Sequence, residues 1–548
     1  MPDNASRKNA VALAACVALV GGALSWWCVQ PPKLGIDDAD ITLVYARNIS
    51  TGEGYVYSAG GERVEGSTSL LWVLMTTAVV RLPGSDWIIA LMTFGLTAWA
   101  LVYAFRTAAL LTSTHAATRE RQTYGPLLVM AGWLLCLPGF FSWTLLTLMD
   151  LAVWTLVVQA LVYESAKAVA TPSASTSGAL VFWSAVAVVC RPEALVLVPA
   201  ALVLQVLCRA GHGSLVGAVR PVQPALIAFL GMLVVVTLGR WLYFGYPFPN
   251  TYYAKIGPDR INTILSGLGY LKWYLSWRPW VAVTISASAF TTLWIVFRAL
   301  RERQPLEAFD RTVVIVGSMG VLGLLLPIPN GGDHFASFRF FQPFAPLFCL
   351  PILAVASRHI EYWKRHRPAL MVAVAVVALG AWFQHRTSHG LIQEFTISVD
   401  GRAAGHILNQ VLPEPRPRVA VVAAGGIAIG YAGPVADLMG LNWVDMAHAK
   451  HASGGFRGHL GFNADVFWRA LPEVVLLDQL PKTAPPKNSA PVTTRFYDRI
   501  LYGLPNSEQF RQAYEPGVVH HDGRYLSVYF LRDWLRQHDI DGYLRIDP

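Results

Sequence analysis

The run TSLLWVLMTTAVVRL, residues 68–82, is the stretch on which the fold turns. As a helix its 15 residues reach only ~22 Å at ~1.5 Å per residue, short of the ~30 Å hydrocarbon core of a bilayer. Eleven other apolar runs surround it, near 10–29, 86–111, 125–139, 141–163, 178–190, 194–208, 222–244, 278–300, 310–328, 338–357 and 367–384. If all twelve crossed a membrane, the basic loop Arg119-Glu120-Arg121 would share a side with the acidic stretch Gly35-Ile36-Asp37-Asp38-Ala39-Asp40. With 68–82 lying in the interface, about eleven transmembrane helices remain, and the basic loops fall together. These are Arg7/Lys8, Arg106 with Arg119 and Arg121, Lys167, Arg209, Arg298 to Arg303, and Arg358 to Arg367. That side is expected to be cytoplasmic.

Composition agrees with a membrane protein. Of 548 residues, 54% are hydrophobic and only 14% charged, against about 25% in an ordinary soluble domain. Mean hydropathy is +0.42 and there are 19 tryptophans. The net charge of +9 is accounted for by the basic loops and does not call for a nucleic acid partner. The first 30 residues read as an uncleaved anchor, because no small-residue cleavage site follows the apolar run. The six cysteines lie in or beside apolar segments, so no disulfide framework is proposed.

The expected architecture is a mainly α polytopic membrane protein in two parts. Residues 1–385 form the membrane domain, with a first outer loop at 30–85 carrying the interfacial helix. Residues 386–548 form a C-terminal soluble α/β domain with strand-like runs at Val419–Ala423 and Val474–Leu477. The N-terminus is expected inside and the tail outside. No internal repeat is apparent.

With that topology the unusual polar residues collect at the outer ends of spans. They are Asp37, Asp38 and Asp40; Asp150; Arg191-Pro192-Glu193; Asn250 to Lys255, with Tyr252 and Tyr253; and Gly331-Gly332-Asp333-His334, with Arg339. Charge near hydrocarbon costs several kcal/mol unless it faces water, a partner or a substrate, so five such groups on one face imply one outward cavity. Each also has a plainer reading. Asp37 and Asp38 suit a helix N-terminus. Arg191 and Glu193 suit a pair at a proline-broken hinge, and Asn250–Lys255 an interfacial belt with a snorkelling lysine. Gly331–His334 suits a turn. Asp150, flanked by Met149 and Leu151, is harder to place against lipid.

The order Asp-Asp-Ala (37–39), Tyr-Ala-Arg-Asn (45–48), Gly-Glu-Arg-Val-Glu-Gly (61–66, with Glu65), Arg-Pro-Glu (191–193), Pro-Asn-Thr-Tyr-Tyr-Ala-Lys (249–255) and Gly-Gly-Asp…Arg-Phe…Pro (331–343) resembles one group of GT-C glycosyltransferases. That group includes terminal β-arabinofuranosyltransferases of the mycobacterial cell wall and bacterial pilin arabinosyltransferases. The tail stretch Ala424-Gly425-Gly426…Tyr431…Asp437-Leu438-Met439-Gly440-Leu441-Asn442, then Gly458-His459, resembles the same family's outer domain. The family usually has Tyr at position 40, Ser-Gly-Met-Glu-Thr at 147–151, and Gly after Arg-Pro-Glu; this chain has Asp40, Thr147-Leu148-Met149-Asp150-Leu151 and Ala194.

The resemblance implies transfer of a sugar, a pentose such as arabinofuranose, from a polyprenyl-phosphate donor. The acceptor would be a cell-envelope glycan, lipid or pilin on the outer face of a bacterial inner membrane. Asp37 and Asp38 are the candidates for the base, since attack on an anomeric carbon needs a carboxylate to take the hydroxyl proton. Arg191, Lys255, His334 and Arg339 are candidates for the donor phosphate. Asp40, Glu65, Asp150, Glu193, Asn250, Tyr252, Tyr253 and Asp333 are candidates for binding or orienting sugar and acceptor. Helix 68–82 would wall a lipid groove. Some relatives use a divalent cation (Mg, Mn or Ca); no ligand spacing here is diagnostic, so the metal is left open. His448, His451 and His459 read as surface or acceptor-site residues. Gly425-Gly426-Ile427-Ala428-Ile429-Gly430 has a faint likeness to a dinucleotide loop with the wrong spacing. The competing class is a transporter or flippase of lipid-linked sugar, which would place charges at mid-membrane and show paired repeats.

Overall fold

The computed structural model describes residues 4–29, 33–113, 124–171, 177–210, 214–255, 259–357, 360–449, 461–485 and 495–545. Arg119, Arg121, Arg358, His451, Gly458 and His459 lie outside them. In chain order the helices are α1 (Asn4–Val29), α2 (Asp37–Ser50), α3 (Leu70–Thr77), α4 (Ser85–Ser113), α5 (Tyr124–Leu135), α6 (Pro138–Phe141), α7 (Leu151–Ala170), α8 (Gly178–Cys190), α9 (Ala194–Ala210), α10 (Leu215–Val219), α11 (Gln223–Phe244), α12 (Asn250–Lys255), α13 (Arg260–Trp277), α14 (Pro279–Glu302), α15 (Ala308–Leu325), α16 (Leu350–Ala356), α17 (Ile360–Thr387), α18 (His389–Val411) and α19 (Gly425–Gly430). The chain is a multi-pass membrane protein: among the described residues six helices are long and apolar enough to cross a bilayer. A bent pair, Pro126–Leu135 with Pro138–Leu146 at 77°, makes a seventh if it counts as one span.

The interfacial reading of 68–82 corresponds to α3, a helix of 8 residues. Ser69 starts it by accepting the Trp72 backbone N–H at 3.3 Å, and the buried Trp72 indole donates to the Leu148 carbonyl at 3.0 Å. An expected span is broken rather than continuous, and the break carries the charged residue Asp150. Run 141–163 divides into a π-turn (Ser142–Leu146), a non-helical Thr147–Asp150 and then α7. Leu148 there has φ 56°, the left-handed region that favours glycine, which gives a physical reason for the glycine the resembled family carries at this place. Runs 178–190 and 194–208 become α8 and α9, with Arg191 extended between them (φ −155°, ψ 149°).

The tail carries a six-stranded sheet of β1 (Val419–Val421), β2 (Val435–Asp437), β3 (Val474–Leu476), β4 (Tyr514–His521), β5 (Arg524–Leu531) and β6 (Tyr543–Arg545), in the order β2-β1-β3-β5-β4-β6. β1 runs parallel to β2 and β3, and the remaining pairs are antiparallel. Asp522-Gly523, both at positive φ, close the β4–β5 hairpin in the two-residue turn that matches strand twist. α18 lies along α19, and glycine makes their approach possible: a Cβ at Gly426 would stand 2.7 Å from the Ser398 carbonyl oxygen. The same two helices pack on α2, so the tail is seated directly on the segment that follows α1.

Candidate active site

The three acids in the first turn of α2 go three ways, because successive helix positions are ~100° apart. Asp37 does not cap its own helix. Its carboxylate accepts the backbone N–H groups of Gly426 at 2.8 Å and Gly425 at 3.1 Å, at the start of α19. A side chain at Gly425 would overlap the Asp37 carbonyl, so this contact requires glycine. The Gly-Gly loop after β1 therefore uses its backbone N–H groups on the protein's own Asp37 carboxyl rather than on a dinucleotide. Burial pushes the Asp37 carboxyl up to about 7, against the pull of the two N–H groups.

Asp40 is fully buried and turned from the cavity. It accepts the Ser398 hydroxyl at 2.6 Å and Arg402 at 2.5 and 3.0 Å, while the other arm of Arg402 reaches Asp86 at 2.6 Å. One guanidinium on α18 thus ties the starts of α2 and α4 to the tail. Asp38 turns to the cavity that Asp37 also borders, with 27% of its side chain exposed.

Asp38 Oδ2 accepts Arg339 Nη1 at 2.9 Å, and Asp333 pairs with Nε of the same guanidinium. The Phe335 ring lies 4.1 Å beneath it, and Asp333 is further fixed by the His334 backbone N–H at 2.8 Å. Burial acts to raise the Asp38 pKa, but Arg339 and then Lys255 outweigh it and hold the carboxyl below its ordinary range. Asp333 is likewise lowered, Arg339 again overcoming burial.

Arg191 repeats the pattern close by, its guanidinium 5.8 Å and that of Arg339 5.4 Å from the centre of the same Phe340 ring. Its Nη1 donates to Asp150 at 2.9 Å, while Nε and Nη2 donate to Glu193 at 3.0–3.2 Å. Each arginine is thus matched by two carboxylates. Lys255, at the end of α12, has no hydrogen-bond or ion-pair partner among the described residues, and its side chain is accessible from the cavity. Burial lowers its pKa, with Asp38 opposing the shift.

These groups line one cavity of about 1780 Å³ between the membrane helices and the tail. Of the residues singled out in the sequence, Asp37, Asp38, Asp150, Arg191, Glu193, Tyr252, Lys255, Asp333, His334 and Arg339 border it. Four stand behind its walls. Asp40 joins α2 to the tail. Glu65 pairs with Arg240 at 2.7 Å, and Arg240 itself borders the cavity. Asn250 donates to the Gly440 and Leu441 carbonyls at 2.8 and 3.0 Å, tying α12 to the tail. Tyr253 stacks on His448 with ring centroids 4.1 Å apart. The cavity also holds a carboxylate that motif reading missed, Glu394 on α18, together with Gln393, Asp400 and Asp478. Among the described residues no three His, Cys, Asp or Glu side chains converge as metal ligands.

No family model and no curated protein matches the chain. Solved structures do. ArnT from Cupriavidus metallidurans bound to undecaprenyl phosphate superimposes with a TM-score of 0.52 at 14% identity, over 95% of this chain and 97% of ArnT. The fold is that of ArnT. The apo form of ArnT gives a TM-score of 0.51 with the same coverage. The GT-C-like architecture, many membrane helices followed by a small sheet domain, is thereby shown; the likeness to arabinofuranosyltransferases stands on the sequence motifs.

Proposed function

We propose that the chain is a membrane glycosyltransferase that moves a sugar, a pentose such as arabinofuranose, from a polyprenyl-phosphate donor to a cell-envelope glycan, lipid or pilin. The transfer occurs on the outer face of the inner membrane, with the N-terminus cytoplasmic and residues 386–548 forming an outer domain over the membrane domain 1–385. The observation that carries this reading is the arrangement Asp38–Arg339–Asp333 with Lys255 beside it in a cavity roofed by the tail. ArnT, which has the same fold, is a protein whose structure holds undecaprenyl phosphate.

In this scheme Asp38 is the base. Its Oδ1 carries no hydrogen bond among the described residues, and the carboxyl is ionised at neutral pH, ready to take the acceptor hydroxyl proton. Lys255 and the remaining N–H of Arg339 meet the donor phosphate and the charge that develops on it as the anomeric bond breaks. The two events are coupled. A phosphate arriving at Arg339 competes with Asp38 for the guanidinium, which raises the Asp38 pKa and strengthens it as a base just when the donor is bound. Asp37 locks the tail in place, and Arg191, held by Asp150 and Glu193, stands beside Arg339 across the Phe340 ring. Val188, Leu195, Val196 and Leu233 supply an apolar side for the prenyl chain.

The test is transfer of labelled sugar by purified protein in detergent, from a panel of polyprenyl-phosphate pentoses and hexoses to glycan, lipid and pilin acceptors. A glycosylated acceptor is the predicted product. Movement of lipid-linked sugar across vesicles, with no acceptor glycosylated by any donor, would refute the transferase in favour of a transporter.

A further inference from the structure

The first helix of the tail, α18, turns one face to the cavity: Gln393, Glu394, Thr396, Ile397 and Asp400 recur at the three- and four-residue spacing that puts side chains on one side of a helix. Thr396 is bonded to Lys33 at 2.8 Å. Glu394 has no hydrogen-bond or ion-pair partner among the described residues, and it shares the cavity with Asp38, Arg339 and Asp333. The guanidinium of Arg339 is already matched by two carboxylates, and so is that of Arg191. Another ionised carboxylate here would repel the anionic phosphodiester donor. A neutral, protonated carboxyl would not, and it would carry a proton into the site.

Resting on the glycosyltransferase reading above, we propose that Glu394 is the general acid of the reaction, handing its proton to the phosphate that leaves with the prenyl chain. Burial pushes the Glu394 carboxyl up to about 8, with Asp38 adding to the rise and Arg339 opposing it. The charged groups facing it are Asp37 and Asp38 on α2 and Arg339 and Asp333 across the cavity. Asp400 on its own helix and Asp478 of the tail border the same space.

The step balances. The acceptor oxygen bonds to the anomeric carbon and its proton passes to Asp38. The bond from the anomeric carbon to phosphate oxygen breaks with its electron pair on that oxygen, and the Glu394 proton joins it. The lipid phosphate leaves as a monoanion, matching the single charge of the donor. Asp38 is left protonated and Glu394 ionised, so the pair is reset by moving one proton back from Asp38 to Glu394. Without the acid the leaving group must depart as a dianion into a site already rich in carboxylates.

The test compares wild type with Glu394→Gln on the polyprenyl-phosphate sugar that the wild type turns over, following kcat, donor KM and the pH profile. A synthetic donor whose leaving group is nitrophenyl phosphate, which departs readily without a proton, is run beside it. We expect kcat with the prenyl donor to fall by roughly 10²-fold, the low end for general acid catalysis because phosphate is a fair leaving group. Donor KM should stay within about twofold, the activity loss above pH 8 should disappear, and the nitrophenyl donor should recover most of the rate. Unchanged kcat with the alkaline limb intact overturns the proposal, and so does an equal loss on both donors, which would mark a structural role. Should Glu394→Gln fail to fold, Glu394→Asp is decisive: a displaced alkaline limb supports the acid and an unmoved one overturns it. A wild type that turns over no donor in the panel refutes the glycosyltransferase reading itself, whereas an active wild type with an indifferent Glu394→Gln refutes only the acid.

Discussion

Arg402→Met is expected to loosen the tail from the membrane domain in a way that depends on pH. Asp40 is fully buried, and Arg402 supplies two of its three hydrogen bonds. Burial already pushes the Asp40 carboxyl up, and Arg402 is the main force holding it back. Without the guanidinium an ionised Asp40 is stranded, a situation that costs about 3–5 kcal/mol. Its escape is to take up a proton. For a carboxyl of ordinary pKa ~3.9 that uptake costs about 4 kcal/mol at pH 7 but only about 1.5 kcal/mol at pH 5. The sign follows from linkage: a carboxyl raised in the folded state stabilises fully below its unfolded pKa and loses that contribution as pH rises. The variant should therefore lose about 3–4 kcal/mol at pH 7 and about 1.5 kcal/mol at pH 5, plus less than ~1 kcal/mol for the half-exposed contact to Asp86. Native-state proteolysis of the tail in detergent reads this directly, because cleavage tracks the open population when reclosing is fast. Asp40→Asn in the same chain should remove most of the loss. A loss of equal size at both pH values, or one that persists undiminished with Asp40→Asn, would refute the reasoning.

Lys255→Met removes a cation that has no partner in the described structure, so stability should hold while donor KM rises by about tenfold, in line with ~1.5 kcal/mol for a lost charge-assisted bond. Gly425→Ala drives a methyl group into the Asp37 backbone, and proteolysis of the tail should report about 1–3 kcal/mol of destabilisation, with Ala at the exposed Gly231 of α11 as the neutral control. Leu148→Asn introduces a residue that tolerates left-handed backbone but forfeits a buried apolar side chain, so thermal stability should fall by about 1–3 kcal/mol despite the relieved backbone.

How much of this was legible before the structure depends on the range of the physics involved. Residues 68–82 could be recognised as α3 because length alone excludes a span. The cavity set was legible because charge beside hydrocarbon is costly wherever it occurs, and Asp38, Asp333, Arg339 and Lys255 do share a wall. The break at Arg191–Glu193 was legible, because Arg-Pro-Glu interrupts the apolar runs, whereas the one at Thr147–Asp150 was hidden inside a run that stays largely apolar. The pairing of Arg191 with Glu193 was readable from their spacing, but the partners of Asp37 and Asp40 were not. Asp37 to Gly426 and Asp40 to Arg402 span more than 300 residues of chain, and no local pattern announces them. Asn250 sat in a strong motif, yet its amide serves the backbone of the tail. Glu394 lay in an ordinary helical stretch with nothing in its neighbours to single it out.

In the proposed reaction Asp38 takes the acceptor proton while Asp37 anchors the tail. The most direct measurement is the single-turnover rate of sugar transfer from a polyprenyl-phosphate donor, with saturating acceptor, for Asp38→Asn and Asp37→Asn beside wild type. Asp38→Asn is expected to lose about 10²–10⁴-fold with donor still bound, and Asp37→Asn about tenfold or less, accompanied by easier proteolysis of the tail. Near wild-type transfer by Asp38→Asn, or the larger loss falling on Asp37→Asn with the tail still protected, would contradict it.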